Sequence, residues 1–425
     1  MGGISTPSLA VEQHLPQLKS GAFTSLPTLD LSLLETPQGK ARFLVELREA
    51  LVVVGFFYLT NIERFIPPGV QNAFVERSKD LLCLPLEKKL EIDMINSKHF
   101  LGYSQPGKER TAQKLDNREM FDFLSPVPAP EPDDPIYMNV QGPNQVRFRY
   151  ASLARPKLTL VQWPNENDAP GFRHAFDTYL AAVGKLGEMM NMLVAEALGL
   201  DPMGLMRFFG SPPRNKVSLL KYPEPRLSTG SESPDSAKYS IPAGEVENDE
   251  EFQGVGAHKD GGCLTYLLQA TEHEGLEVQN KCGKWISMRP LPNSLVVNVG
   301  RSLEAITGGI CTATTHRVNL SARKFFRANG RALGPRYSFP VFQTLKMDLT
   351  SKELASLRIP DAIKNLVEGQ QVASDAEGYF EKYHLESPGV GIFTARITSH
   401  PEVGRKWYPA ITEKILKGQA EFGVV

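Results

Sequence analysis

Between residues 216 and 299 the chain is cut into short apolar runs, 217–222, 262–269, 276–279, 284–288 and 294–299, with turn-forming residues between them. Runs this short and this closely spaced read as strands that pair mostly antiparallel and close into a sandwich or barrel. The rest of the chain must fit around that unit. Ahead of it, 26–31 reads as a short strand around a proline, 39–51 as a helix, and the β-branched and aromatic run 52–59 as a buried strand. A second helix is expected over 67–90, with Pro68 near its start. Residues 125–135, rich in Pro, Asp and Glu, read as a loop. Apolar residues at helical spacing predict one long helix over 169–200, and its methionines Met189, Met190 and Met192 read as core packing. The stretch 226–251, rich in Ser, Pro and Gly and then acidic, reads as a solvated insertion, and helical patterns return after 351.

Composition excludes several function classes. With 41% hydrophobic and 22% charged residues the chain has the balance of an ordinary globular protein. Lys plus Arg total 47 against 48 Asp plus Glu, so no basic field exists to attract a phosphate backbone, and nucleic acid is not expected as a partner. No apolar run approaches the roughly 20 residues needed to span a bilayer, so no membrane association is expected. The first 17 residues lack the pattern of a secretory signal, and the last residues are not a retention or peroxisomal address. Cys83, Cys263, Cys282 and Cys311 are scattered without a C-x-x-C pair, which suits a reducing compartment; a cytoplasmic protein is expected.

One constellation carries chemistry. His258 and Asp260 stand two apart, so on an extended strand both side chains emerge on the same side, and His316 arrives from a separate strand-like segment. Two imidazoles and a carboxylate are the set that holds non-haem Fe(II) on one face of an octahedron and leaves the other positions open. Gly261 and Gly262 allow a tight turn beside the ion. His14, His99, His174, His273, His384 and His400 lack a carboxylate in this relation on a recognisable strand.

A bidentate 2-oxo acid is a common way to fill two of the open positions, and its far carboxylate needs a cation and hydroxyl donors. Arg336 and Ser338 provide these at alternate positions of a strand, and Tyr222, at the end of another, adds a phenol. Arg327 and Arg331 are rivals in the same basic segment. Arg336 is favoured because a serine follows two residues on and the chain continues apolar as Phe339-Pro340-Val341-Phe342.

Ordered matches along most of the chain then point to a family. They include 55–61, Gly102-Tyr103, 119–123, 258–265, 275–278, Trp285, 295–300, Leu303-Glu304 and 315–318. In these the chain resembles the isopenicillin N synthase-like branch of the 2-oxoglutarate and Fe(II)-dependent dioxygenases. Its long insertions and extended tail are closer to fungal biosynthetic members than to compact plant ones.

The resemblance implies a mainly β fold with flanking helices and a double-stranded β-helix (jelly roll) core. The expected organisation is a flexible arm 1–25, an N-terminal α+β region 26–135, a jelly-roll core 136–350, and a C-terminal helical extension 351–425. The resemblance further implies His258, Asp260 and His316 as Fe(II) ligands, with Arg336, Ser338 and Tyr222 on the 2-oxoglutarate cosubstrate. O2 is then consumed with 2-oxoglutarate to oxidise a small organic molecule by hydroxylation, desaturation or a related C–H oxidation, in secondary metabolism. Tyr103, Phe121, Phe123 and Phe342 lie in segments that approach the pocket in the family, and are the expected substrate contacts.

Three departures from the family pattern stand out: Arg301 replaces a common Asp, Leu220 replaces a common Asn, and the segment 321–334 lengthens the gap from His316 to Arg336. Two other readings compete. One is an Fe(II) oxidase that uses no oxo acid; the other is a silent ligand-binding protein on the same fold.

Overall fold

A computed structural model of the chain describes residues 23–111, 114–127, 130–131, 133–140, 142, 145–146, 160–224, 252–367 and 386–421. Most of the expected arm, the expected insertion 226–251 and part of the C-terminal extension lie outside the described residues.

The N-terminal part contributes strands β1 (Thr28–Asp30), β2 (Phe56–Thr60), β3 (Gly102–Ser104), β4 (Arg110–Thr111), β5 (Lys114–Leu115) and β6 (Glu119–Leu124). A small pair, β7 (Gln145–Val146) with β8 (Leu160–Val161), follows. Eight further strands make the core. They are β9 (Arg214–Tyr222), β10 (Phe252–His258), β11 (Leu264–Gln269), β12 (Leu276–Gln279), β13 (Trp285–Ser287), β14 (Ser294–Val299), β15 (His316–Leu320) and β16 (Arg336–Thr344). These divide into two antiparallel sheets, β14-β11-β16-β9 and β10-β15-β12-β13, with the chain passing back and forth between them. This is the expected double-stranded β-helix. The N-terminal strands extend its larger sheet on both sides, giving the order β1-β2-β14-β11-β16-β9-β6-β3.

Side chains alternate across that large sheet, and its two faces have different tasks. One face packs on helices α1 (Pro37–Glu49), α2 (Pro68–Leu82) and α4 (Phe172–Ala197); a short helix α3 (Leu86–Leu90) follows α2. On that face Phe339 meets Phe74 at 5.6 Å between ring centroids, and Phe74 stacks on Tyr179 at 4.1 Å. Phe123 stacks on Trp163 at 4.6 Å and meets Phe176 edge-on at 5.6 Å. Burying one such ring contributes about 1.5–3 kcal/mol. The other face looks toward the smaller sheet and carries polar residues that an ordinary core would exclude.

The long helix falls within its expected span, and Met190 is fully buried in the core. Helix α1 begins slightly before its expected start because Thr36 caps it, its Oγ accepting from the Gly39 N–H at 3.0 Å with Pro37 in the first turn.

Two expectations are corrected. The run 52–59 is not one strand: Ala50–Val54 continues α1 as a π-helical turn, and the strand begins only at Phe56. Every residue from Ala50 to Leu59 is buried, so apolarity alone could not reveal the period, and Gly55 at φ 70° makes the break. The helix expected over 67–90 is two helices, because Pro85 cannot continue the ladder and follows the end of α2 at Leu82.

The aromatic stack predicts a stability effect. Phe123→Ala should lower unfolding stability by about 3–5 kcal/mol, measured by urea denaturation of the full chain.

Candidate metal centre

Strand β10 ends on His258 and β15 begins on His316, and the two residues face each other across the antiparallel pair. Their rings lie 4.3 Å apart. Asp260 stands just beyond the strand end, so it does not share a strand face with His258 as the two-residue spacing suggested. Side-chain bonds from the opposite sheet bring it in instead. Its Oδ2 accepts from Thr265 Oγ1 at 2.6 Å on β11 and from Asn298 Nδ2 at 2.8 Å on β14. Its Oδ1 is left facing His258 Nε2 at 3.6 Å and His316 Nε2 at 3.7 Å. All three ligand atoms lie within 4.8 Å of one another, and among the described residues this is the one cluster of its kind.

The electrostatics suit a cation. His258 Nδ1 donates to the Gly256 carbonyl at 2.8 Å, and His316 Nδ1 donates to the Thr314 carbonyl at 3.2 Å. With both Nδ1–H groups engaged, Nε2 is the nitrogen each ring turns toward Asp260 and would offer to a cation. Burial, and then the neighbouring His258 charge, push His316 down to about 4, so it is neutral near pH 7. Burial also opposes protonation of His258, but the hydrogen bond and charge of Asp260 outweigh it and leave its pKa raised. Burial works against the Asp260 charge too; the two imidazoles and the Asn298 amide nevertheless hold its carboxyl far below the usual range.

A second cluster lies on the inner face of the large sheet, the face that carries Thr265 and Asn298. Arg336 opens β16 directly opposite Tyr222 at the end of β9, and its guanidinium sits 4.7 Å over the tyrosine ring. The side chain is only 2% exposed, yet its Nη1 has no hydrogen-bond partner. A buried cation with an unmade bond is costly, and an incoming carboxylate would satisfy it. Ser338, two residues on, points to the same side and pairs across to Leu220 on one neighbour and Gln269 on the other. Gln269 Oε1 is likewise buried and unpartnered.

The rivals are placed elsewhere. Arg327 is exposed and pairs with Glu272 at 2.7 Å, and Arg331 is exposed on a turn. The segment 321–334 is a local excursion, a short 3-10 turn Ala322–Phe325 and a bridge between Phe326 and Ala332, and it leaves Arg336 in register with Tyr222.

Of the four expected substrate contacts, the structure places one beside these clusters. Phe342 lies on the inner face, in register with Thr265 and Lys216, and Lys216 Nζ sits 4.6 Å over its ring. Tyr103, Phe121 and Phe123 are corrected: they occupy the alternate positions that face the helices. Phe121 and Phe123 stack within the aromatic core, and the Tyr103 hydroxyl donates to Glu119 at 2.7 Å. Their neighbours Met120, Asp122 and Leu124 hold the inner positions.

Sequence reasoning missed the partners of the site. Thr265 and Asn298 are polar residues inside otherwise apolar strands, and that signal could have found them. Asp122 also belongs here, bonded to Ser218, to Lys216 at 3.2 Å and to Arg396 at 2.7 Å. Arg396 comes from the helix Pro388–Ser399, and only the fold brings it to the inner face.

Comparison with known proteins decides the family. A model described as the 2OG-Fe(II) oxygenase superfamily matches residues 235–344, and one for the N-terminal region of non-haem dioxygenases in morphine synthesis matches 26–147. A 2-oxoglutarate-dependent dioxygenase of Gibberella zeae is 36% identical, the match covering 94% of this chain and 95% of that protein. The chain belongs to the 2-oxoglutarate and Fe(II)-dependent dioxygenases.

A second such dioxygenase, frbJ of a Dothideomycetidae species, is 37% identical over 95% of this chain and 98% of its own length. Among solved structures, a Neurospora crassa protein crystallised with alpha-KG and 5-formyluracil matches at a TM-score of 0.59 and 22% identity, covering 90% of this chain and 96% of that one. That likeness shows the shared fold. As a member of the family, this dioxygenase uses Fe(II), 2-oxoglutarate and O2. The donors described above fit that requirement: a two-nitrogen, one-carboxylate set whose Asp260 and His316 are buried, and a guanidinium with an unmet hydrogen bond on the inner face of the large sheet.

Removing one hydroxyl tests the support of Asp260. Thr265→Val should weaken binding of Mn(II), a redox-silent stand-in for Fe(II), by about tenfold or more in a calorimetric titration.

Proposed function

We propose that His258, Asp260 and His316 are the iron ligands of this dioxygenase, and that Arg336, Ser338 and Tyr222 bind the distal carboxylate of 2-oxoglutarate. The reaction we infer is oxidation of a C–H bond in a small organic molecule of secondary metabolism. The observation that carries this reading is that two complementary clusters line the space between the two sheets, one on the smaller sheet and one on the inner face of the larger. One is a ligand set whose Nδ1 atoms are both engaged by backbone carbonyls, leaving the Nε2 atoms facing Asp260; the other is a buried guanidinium whose Nη1 has no hydrogen-bond partner.

Bound there, Fe(II) and 2-oxoglutarate supply the oxidation: O2 and 2-oxoglutarate are consumed, succinate and CO2 leave, and a substrate C–H bond is oxidised. The residues of this chain do the rest. With a cation in place of the proton on His258, two neutral imidazoles and one carboxylate would give a ligand set of single negative charge, suited to a divalent ion of intermediate softness. Thr265 and Asn298 fix which oxygen of Asp260 is offered. Arg336 and Ser338 orient the cosubstrate by holding its far end, and the Tyr222 ring keeps the guanidinium from swinging away. Phe342 forms the floor for substrate, and the two sheets exclude water from it.

Fungal relatives along nearly the full length support a role in secondary metabolism. A near-neutral charge balance leaves nucleic acid without a docking field, and among the described residues no helix is long and apolar enough to cross a membrane. The four cysteines are all free, which supports a cytoplasmic setting.

Two measurements test the assignment. Oxygen uptake by the purified enzyme with its substrate should require 2-oxoglutarate, match succinate formed, and vanish in His258→Ala; uptake independent of 2-oxoglutarate would favour an oxidase that uses no oxo acid. Arg336→Ala should raise the KM for 2-oxoglutarate by about 10- to 100-fold, the loss expected for one charge-assisted pair. An unchanged KM would remove Arg336 from the cosubstrate site.

A further inference from the structure

β10 is an edge strand. The smaller sheet runs β10-β15-β12-β13, so among the described residues one side of the strand that carries His258 has no sheet neighbour. Its ladder to β15 is also irregular, with register shifts between Gln253 and Val255 and again between Val255 and His258. A strand of this kind holds its last residue loosely unless something secures the free edge.

The N-terminal hairpin β4-β5 and the residues after it lie along that edge. Asp116 is 1% exposed; its Oδ1 accepts from the Gly256 N–H at 3.3 Å and from Gln253 Nε2 at 2.9 Å. Its Oδ2 accepts from Thr111 Oγ1 at 2.8 Å and lies 3.6 Å from the Arg118 guanidinium. The Asn117 N–H donates to the Gln253 carbonyl at 3.2 Å, and Gln253 Nε2 reaches the Thr111 carbonyl at 3.2 Å. Arg118 is bound in turn to Glu109 at 2.6 Å.

Gly256 links this clamp to the metal. Its N–H is held by Asp116, and its carbonyl accepts from His258 Nδ1 at 2.8 Å, the bond that aims Nε2 at the ion. A Cβ on residue 256 would stand 2.8 Å from the Thr111 carbonyl, so the clamp closes only over glycine.

We propose that Asp116 is a positioning residue for the metal centre: by fixing the Gly256 peptide at the free edge of β10, it holds His258 in its ligating orientation. This rests on the assignment of His258 as a ligand. The partner that sets the imidazole is thus itself set from the N-terminal region, outside the jelly roll. Outer partners of metal-bound histidines typically govern affinity more than fold, and Asp116 acts one bond further out.

The test is Mn(II) titration of the full-length, metal-stripped protein, with thermal unfolding of the same samples. Asp116→Ala should weaken Mn(II) binding by about tenfold or more. Asp116→Asn keeps an oxygen for the Gly256 N–H and should stay within about threefold of the parent on the same scale. Phe123→Ala, on the opposite sheet face, should lower the Tm and leave Mn(II) affinity unchanged, which separates positioning from general destabilisation. If Asp116→Ala binds Mn(II) as the parent does, or if the Ala and Asn variants weaken it equally, the proposal is wrong. Should Asp116→Ala not fold, Gly256→Ala carries the same expected weakening, and parental affinity there refutes the clamp. Failure of the parent protein to bind Mn(II), or full binding by His258→Ala, would instead overturn the ligand assignment, and the role of Asp116 with it.

Discussion

The alternation of side chains along the middle of the large sheet is the constraint on which the site depends. In β16, Tyr337 and Phe339 face the helices, where Tyr337 meets Cys83 and Phe339 meets Phe74, while Arg336, Ser338 and Phe342 face inward. A slip of one residue would drive the Arg336 guanidinium into the aromatic layer and turn Tyr337 and Phe339 toward the space between the sheets. Burial of that aromatic layer therefore selects the register, and the register selects the inner residues. Packing far from the chemistry decides where the chemistry sits.

The inner face accepts polar groups only because each has an answer. Asp260 is answered by Thr265 and Asn298, and Asp122 by Ser218, Lys216 and Arg396. The unanswered Nη1 of Arg336 and Oε1 of Gln269 are exceptions, and the first is a donor that the proposed cosubstrate carboxylate would answer. An unmet donor in a buried site acts as recognition: it disfavours the vacant state and rewards the one ligand group that completes it. The same economy explains the imidazoles, whose outward nitrogens are bound to backbone carbonyls.

Much of this was legible in the residues. Short strands at close spacing reveal a sandwich, and His258, Asp260 and His316 carry a ligand pattern that the fold brings together. Arg336 could be told from Arg327 and Arg331 by the serine and apolar run behind it. What could not be read was set by contacts between distant segments. Phe121 and Phe123 are aromatic residues near the right place in sequence; nothing local says which face of β6 meets the helices. Asp116 and Arg396 look like surface charges until the fold carries them to β10 and to Asp122. The run 52–59 misled because burial on all sides erases the difference between helical and strand periods.

The position of β16 bears on how the chain folds. Among the described residues it is the last strand in sequence, yet it lies inside the eight-stranded sheet, with β11, β14, β2 and β1 on one side and β9, β6 and β3 on the other. During synthesis the two groups cannot join until residue 344 has emerged, and each shows an unpaired edge to the solvent in the meantime. Contacts of such long sequence separation slow folding and favour association between incomplete chains. The strand that carries Arg336 and Ser338 is thus also the one that seals the sheet, so a chain cut short before it would lack both residues and be prone to aggregate.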